Sequence, residues 1–164
     1  MQHAAAQSAF LLQQYERLLS GLEDRHRGWE PSPGAKTAGW LLGHLVITGD
    51  FGRRLCGLGP PLAPKEWRPL FSPGTQPSLN AAGYPAMREL VDSFRAIYRD
   101  LAAKAPSASA ESLRLPNPYE PARPDFPTAG DFVRYLLTGH LAYHLGQLSQ
   151  WRVAGALNDQ SLRA

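Results

Sequence analysis

The sequence has a single cysteine and no long apolar run, and each of these shortages excludes a class of protein. One cysteine among 164 residues excludes an internal disulfide framework and a cysteine-based zinc knuckle. No stretch reaches the roughly 18 consecutive apolar residues of a membrane-spanning helix, and the amino terminus lacks a basic segment followed by an apolar run. We therefore expect a soluble, cytoplasmic protein that does not bind membranes.

The chain also has little excess of one charge over the other. The chain has 17 lysines and arginines against 14 aspartates and glutamates, for a net charge of +3. The basic residues are scattered, whereas a nucleic-acid-binding surface concentrates them on one face. We therefore expect no nucleic-acid partner.

The length of the chain favours one domain over residues 1–164. A protein of 18.0 kDa buries about 70% of the surface of its extended chain on folding. One hydrophobic core of that size needs no disulfide to stabilise it.

Proline, in contrast, is abundant, and its positions divide the chain. The 15 prolines fall into three groups, with two at 31–33, seven at 60–85 and six at 106–127. Because proline cannot continue a helix, these groups separate four stretches with helical periodicity. The predicted helices are Ala4–Asp24, Thr37–Cys56, Tyr84–Lys104 (with Pro85 in the first turn) and Thr128–Ala154.

The four stretches have the features of amphipathic helices. Thr37 is a candidate N-cap, and Thr128 with Asp131 forms a candidate capping box. Four helices of about 20 residues predict an all-α fold, a four-helix bundle. The proline-rich links, about 27 and 23 residues long, are expected to pack back onto the bundle through Trp67, Leu70, Phe71, Tyr119 and Phe126.

Three of the five histidines lie in positions that favour metal binding. His140 and His144 are four residues apart in the fourth predicted helix, so both imidazoles project from one face, one turn apart. His44 lies on the inward face of the second predicted helix, where an imidazole needs a partner. His3 and His26 are expected to face solvent.

These three histidines could converge on one ion from two helices, or they could merely pack in the core. Leu141 follows His140, where zinc proteases have a glutamate base, and neither His140 nor His144 has a glutamate three residues earlier, as di-iron bundles require. Among metal sites, a mononuclear three-histidine centre with an open position remains. Three imidazoles suit zinc, nickel, iron or manganese.

Several neighbouring residues are candidates for supporting roles. Gln147 and Thr48 each follow a candidate ligand by one turn, and Tyr143 lies between His140 and His144. Each could bind a substrate or orient a ligand, or could serve only packing. The glycines at 39, 43, 139 and 146 suggest close approach of helices near the histidines.

Other reactive residues give weaker signals, and no catalytic residue can be assigned. Cys56 is expected to be buried and unreactive. Arg152 and the pair Arg53 and Arg54 could bind an acidic substrate or could be surface or dimer-interface charges.

Two segments carry a family resemblance. Residues 39–45 (GWLLGHL) and 139–148 (GHLAYHLGQL), followed by Trp151, Arg152 and Gly155, resemble the two signatures of the DinB/YfiT-like superfamily of metalloenzymes. The His-x-x-x-His-x-Gly-Gln string is the specific part of the likeness. These motifs span about 25 residues, while the likeness in architecture covers most of the chain.

The resemblance implies an up–down–down–up four-helix bundle with one divalent metal ion at His44, His140 and His144, and a homodimer. It implies a small-molecule substrate and an S-transferase or isomerase activity that uses a low-molecular-weight thiol such as bacillithiol or mycothiol, or else a hydrolase activity. The alternative is a non-catalytic, stress-related metal-binding dimer. The proline-rich loops before and after the candidate ligands are expected to wall the open metal position and to determine the substrate.

Overall fold

The computed structural model describes residues 1–155, and the regular structure of that range is helical. Short 3-10 turns and one isolated β-bridge between Pro116 and Thr128 complete it. The α-helices are α1 (Gln2–Leu19), α2 (Ala38–Leu55), α3 (Arg68–Phe71), α4 (Met87–Lys104), α5 (Ala110–Arg114), α6 (Ala129–Leu137) and α7 (Gly139–Ala154). The prediction of an all-α fold is confirmed for these residues.

The long helices share one large core. Helix α2 packs most extensively on α4 and also contacts α6 and α7, while α1 contacts α4, α6 and α7. Fully buried side chains in the core cluster include Tyr15 of α1, Leu41 of α2, Ile97 of α4 and Trp151 of α7. The up–down–down–up order of a bundle and the single domain over residues 1–164 stay predictions.

Two helix starts follow the predicted capping chemistry. The Thr37 hydroxyl accepts a hydrogen bond from the Trp40 amide at 3.2 Å. Thr128 and Asp131 form the reciprocal capping box, in which the Asp131 amide donates to the Thr128 hydroxyl at 3.1 Å and the Thr128 amide donates to the Asp131 carboxylate at 3.2 Å. Each arrangement satisfies backbone donors that have no partner inside the helix.

The fourth predicted helix is not continuous. Thr138 has φ −127° and ψ −86°, which ends α6 at Leu137 and starts α7 at Gly139. The Thr138 hydroxyl donates to the Arg134 carbonyl at 2.8 Å, and a β-branched residue followed by glycine is a weak helix former. The prediction of one helix over Thr128–Ala154 is therefore wrong at this point.

The ends of two other predicted helices are also wrong. Helix α1 stops at Leu19 because Ser20 is extended and Gly21 has a φ of 71°, a conformation that favours glycine. Helix α4 starts at Met87 instead of Tyr84, so Pro85 lies before it. The Met87 amide donates to the Asp24 carboxylate at 2.7 Å, so the helix is capped by a residue distant in sequence.

The first proline-rich link packs against α2. Trp67 and Phe71 are buried, and Leu70 is partly buried. At Gly43 a Cβ atom would lie 2.5 Å from carbon atoms of the Phe71 ring, so the ring sits directly on the backbone of α2. This contact places α3 beside His44.

Helix length and apolarity also bear on membrane insertion. Within residues 1–155, no helix combines the length and the apolarity that crossing a bilayer requires.

Candidate metal centre

The three predicted histidines come together in the structure. His44 of α2 and His140 and His144 of α7 are all buried. The His140 Nε2 atom lies 3.2 Å from the Nε2 atom of His44 and 3.2 Å from that of His144. One ligand atom from each of the three residues lies within 4.8 Å of the others, so two helices present a cluster of nitrogens.

Hydrogen bonds from outside the cluster orient two of the rings. His44 Nδ1 lies 2.8 Å from the Phe71 carbonyl oxygen, and His144 Nδ1 lies 2.7 Å from Gln147 Oε1. Both oxygens are acceptors, so each Nδ1 carries the proton and donates it. Each Nε2 atom is then left with a free lone pair that points into the cluster.

His140 lacks such an anchor. Its Nδ1 atom is buried without a hydrogen-bond partner among residues 1–155, and its Nε2 faces two lone pairs. If the proton of His140 is on Nε2, this one N–H group must be shared between the Nε2 atoms of His44 and His144. If the proton is on Nδ1, the three Nε2 lone pairs face one another without any donor. An electron-pair acceptor among the three nitrogens would relieve this arrangement.

The environment keeps all three imidazoles neutral. Burial, together with the nearby His144 and His44, lowers the pKa of His140 to about 2. Burial and His44 lower the pKa of His144 to about 4, against an opposing effect of the Gln147 hydrogen bond. Burial also lowers the pKa of His44. Neutral imidazole is the form that binds metal.

The spacing of the nitrogens fits a divalent ion. Zinc binds imidazole nitrogen at about 2.1 Å, and a tetrahedral arrangement at that distance separates two ligand atoms by about 3.4 Å. The two separations of 3.2 Å are close to this value. Residues His44, His140 and His144 can therefore hold a metal ion with at least one position left for another ligand.

A cavity of about 710 Å³ opens onto the histidines. This volume is in the range of small-molecule sites. Both proline-rich links border it, the first through Arg68, Ser72, Pro73 and Gly74, and the second through Tyr119, Pro121, Ala122, Asp125 and Phe126.

Aromatic rings cover the surface around the site. Trp40 stacks on His44 with ring centres 4.8 Å apart and an angle of 7° between the planes. Tyr135 contacts His140 edge to face at 5.6 Å and stacks on Phe126 at 4.4 Å. The site is therefore largely apolar apart from the histidines and a few charged side chains.

The predicted supporting residues have different positions. Gln147 lines the cavity, accepts from His144 and donates from its Nε2 to the Tyr143 hydroxyl at 3.2 Å. Tyr143 is 63% exposed, so its ring is not part of the core, although it contacts the His144 ring at 5.1 Å. Thr48 also borders the cavity, but its hydroxyl donates to the backbone carbonyl of His44 at 2.8 Å.

Two expectations about charged and polar residues are wrong. His26 is buried; its Nδ1 accepts from the Glu23 amide at 2.9 Å and its ring contacts Trp151. Arg53 is buried in ion pairs with Asp50 and Asp100 and is neither a surface charge nor a substrate ligand.

The remaining candidate residues differ in burial. Arg152 is buried and donates to the carbonyls of Leu18 and Ser20 at 2.8 Å each, which ties α7 to the end of α1. Arg54 is exposed at the cavity edge, and His3 is exposed as expected. Burial raises the pKa of the Cys56 thiol to about 11, in agreement with an unreactive cysteine.

The glycines near the histidines behave differently from one another. A Cβ at Gly39 would lie 2.7 Å from the Arg27 carbonyl oxygen, and Gly43 is covered by Phe71. A Cβ at Gly146 would meet nothing within 4 Å. A Cβ at Gly139 would lie 3.3 Å from the Tyr135 ring of α6. The expected close approach therefore holds on α2 and at Gly139 and is wrong at Gly146.

Sequence reasoning missed the Phe71 carbonyl and much of the aromatic wall. Every residue type has a backbone carbonyl, so nothing in the sequence identifies Phe71 as the acceptor for His44. Trp40 precedes His44 by four residues, and Tyr135 follows Phe132 by three. These helical spacings place side chains on one face and could have indicated part of the wall.

A comparison with known protein families found a match over most of the chain. The family model described as the DinB superfamily matches residues 9–148, which include all three histidines. A search of curated proteins found no match.

Proposed function

Because this chain belongs to the DinB superfamily, which contains metalloenzymes, we propose that it is a divalent-metal-dependent enzyme with a mononuclear site at His44, His140 and His144. The observation that carries the proposal is the convergence of three neutral Nε2 atoms, two pairs of them 3.2 Å apart, beneath a cavity of about 710 Å³. A buried cluster that served only packing would not need two rings held with their lone pairs facing each other.

The chain's own residues have distinct tasks in this proposal. The Phe71 carbonyl and Gln147 fix the protonated Nδ1 atoms of His44 and His144, which orients both ligands and raises their basicity. When bound, a divalent ion supplies Lewis-acid chemistry and lowers the pKa of a coordinated nucleophile. The aromatic rings around the histidines lower the local dielectric constant, which strengthens electrostatic interactions with a bound ion.

We further propose that the reaction is either the transfer or isomerisation of a group with the help of a low-molecular-weight thiol, or a hydrolysis. Both need an activated nucleophile. Of the two carboxylates that border the cavity, Asp50 is paired with Arg53, and Asp125 is exposed on the second proline-rich link. Neither forms a hydrogen bond to a histidine of the site, which favours activation by the ion over activation by a carboxylate base.

The remaining expectations from the family resemblance are part of the same proposal. We propose an up–down–down–up bundle that works as a cytoplasmic homodimer.

Metal content tests the site directly. Untagged protein from metal-replete growth should contain about one divalent ion per chain by elemental analysis, while His44→Ala and His144→Ala should lose most of it. His3→Ala, in which an exposed histidine outside the site is removed, is the matched control and should keep the ion. Native protein without stoichiometric metal would contradict the proposal.

Thermal unfolding with added ligands tests the reaction class. Stabilisation by bacillithiol or mycothiol that is lost in His144→Ala would support thiol chemistry at this site. No stabilisation, together with no turnover in thiol-transfer, ester and amide assays, would favour the alternative of a non-catalytic metal-binding dimer.

A further inference from the structure

The cavity has an aromatic wall that leads away from the histidines. From His140 the ring contacts run to Tyr135 at 5.6 Å, from Tyr135 to Phe132 at 6.0 Å and from Phe132 to Phe51 at 6.0 Å. Tyr119 and Phe126 widen the wall on the side of the second proline-rich link. All these rings line the cavity, and most of them are only partly buried.

A cation lies at the far end of the wall. The guanidinium carbon of Arg54 lies over the Phe51 ring, 4.8 Å from its centre, a cation–π contact that favours this position of the arginine. Arg54 follows His44 by ten residues in α2, which corresponds to a rise of about 15 Å along the helix. A ligand that reaches both ends is therefore elongated.

The charge balance of the cavity favours an anionic ligand. Lys36, Arg54 and Arg68 border the cavity, and none of the three forms an ion pair with any residue between 1 and 155. Arg54 is the cation that lies over Phe51, at the end away from the histidines. Asp50 is already paired with Arg53, which leaves Asp125 as the one acidic side chain along the border without a partner in the described part of the chain. An exposed guanidinium can donate two parallel hydrogen bonds to a carboxylate, the pairing that arginine prefers.

From these features we propose that the cavity binds an elongated carboxylate with an aromatic body, which lies along Phe126, Phe132 and Tyr135 and pairs its carboxylate with Arg54. This rests on the proposed function, because it places the other end of the ligand at the three histidines. The aromatic wall supplies affinity by burial and ring contacts, and Arg54 selects for the negative charge. Arg54 is thus a specificity-determining residue, not a catalytic one.

The test compares two probes that differ in charge but hardly in shape, biphenylacetate and biphenylacetamide. Both are titrated by calorimetry into metal-free protein, so that the outcome does not depend on whether the metal proposal holds. The acid should bind about fivefold more tightly than the amide, since an exposed ion pair contributes at most about 1 kcal/mol.

Substitutions at Arg54 and at Phe126 separate the parts of the site. Arg54→Gln should abolish the preference for the acid and leave amide binding unchanged, while Arg54→Lys should keep part of the preference. Phe126→Leu should weaken both probes by about three- to fivefold, because it removes an aromatic face but no charge. Arg114→Gln, which changes an exposed arginine of α5 outside the cavity, should change neither probe.

Some results would overturn the proposal. Equal affinity of the two probes for the native protein would do so, as would a preference for the acid that persists in Arg54→Gln. The same titrations are repeated with metal-loaded protein. A preference that appears only with metal and survives Arg54→Gln would place the carboxylate on the ion instead of on Arg54.

Discussion

At the scale of single residues, the histidine cluster depends on its immediate neighbours. The Nδ1–H group of His44 donates a hydrogen bond to the backbone carbonyl of Phe71. The Nδ1–H group of His144 donates to the side chain of Gln147, one turn further along the same helix. The Gln147 acceptor can be changed by substitution, but the Phe71 carbonyl can be changed only by moving the chain. Gly43 offers a way to do that.

Gly43→Ala should disturb the metal site indirectly, through Phe71. The new Cβ would lie 2.5 Å from the buried Phe71 ring, so the ring and its carbonyl must shift. We expect a loss of about 1–3 kcal/mol in the free energy of unfolding and a decrease in metal affinity of about 10- to 100-fold. Chemical denaturation and a competitive metal titration measure the two effects.

Gly146→Ala is the matched control for this substitution. Gly146 lies two residues after His144, where a Cβ meets nothing within 4 Å. Alanine should stabilise α7 by up to about 1 kcal/mol and leave metal affinity unchanged. Equal loss of metal affinity in both variants would show that the Phe71 contact does not position His44.

Cys56 should be a slow-reacting thiol. Burial raises its pKa to about 11, so very little thiolate exists at pH 8, and the group is also shielded from reagents. Ellman's reagent should therefore modify native protein many times more slowly than protein unfolded in guanidinium chloride. A native rate equal to the unfolded rate would contradict the burial of this residue.

At the scale of elements, the start of α6 depends on one reciprocal pair of hydrogen bonds. Thr128→Ala removes the hydroxyl that accepts from the Asp131 amide, and it should reduce the free energy of unfolding by about 1 kcal/mol. Thr128→Ser keeps the hydroxyl and should retain most of the stability. Urea denaturation of both variants checks this; similar losses would exclude the cap as the cause.

The sequence predicts the existence of the long helices better than their limits. Apolar periodicity and proline positions identify the helices that carry His44, His140 and His144, and local caps such as Thr37 and Thr128 identify two of the starts. The start of α4 could not be predicted, because its cap is Asp24, more than sixty residues earlier. The break at Thr138 was also missed, since the apolar pattern continues through it.

The residues of the candidate site could also be predicted only where the pattern is local. Helical spacing is a local property, so it predicts that His140 and His144 share a face and that His44 points inward. His26 packs against Trp151 and Arg53 pairs with Asp100, and both contacts join segments that are distant in the sequence. The sequence pattern does not show such contacts, so the expectations that His26 and Arg53 lie at the surface were wrong. The aromatic wall also combines residues from α2, α6 and a loop.

At the scale of the whole molecule, one buried arginine connects two core helices and a loop. Arg53 of α2 pairs with Asp50 at 3.0 Å and with Asp100 of α4 at 2.7 Å. It also donates to the carbonyls of Leu58 and Pro60, at the start of the first proline-rich link. The packing of α2 on α4 and the path of that link therefore depend on the same guanidinium.

This network should make the fold less stable in acid. Hydrogen bonds from Lys104 and Arg53 hold the pKa of Asp100 below its usual value. A carboxyl whose folded pKa is lowered contributes stability that is fully present above its unfolded pKa of about 3.9 and is lost as the pH falls through the folded value.

Asp100→Asn should accordingly lower the free energy of unfolding at pH 7 by about 1–2 kcal/mol and flatten its decrease below about pH 4. Asp125→Asn, an exposed aspartate without an ion pair among the described residues, should change neither quantity. Denaturation curves between pH 3 and pH 7 would show the difference. An unchanged acid slope in Asp100→Asn would contradict the assignment.

The contact of the Phe71 carbonyl with His44 also sets a rule for redesigning this protein. The two proline-rich links both border the cavity, but they are not equally free to vary. The segment at 116–127 meets the metal-binding region through aromatic packing, so libraries with altered selectivity can begin there. The segment at 64–75 contributes the acceptor for His44, and a graft that replaced it would change the metal centre together with the pocket.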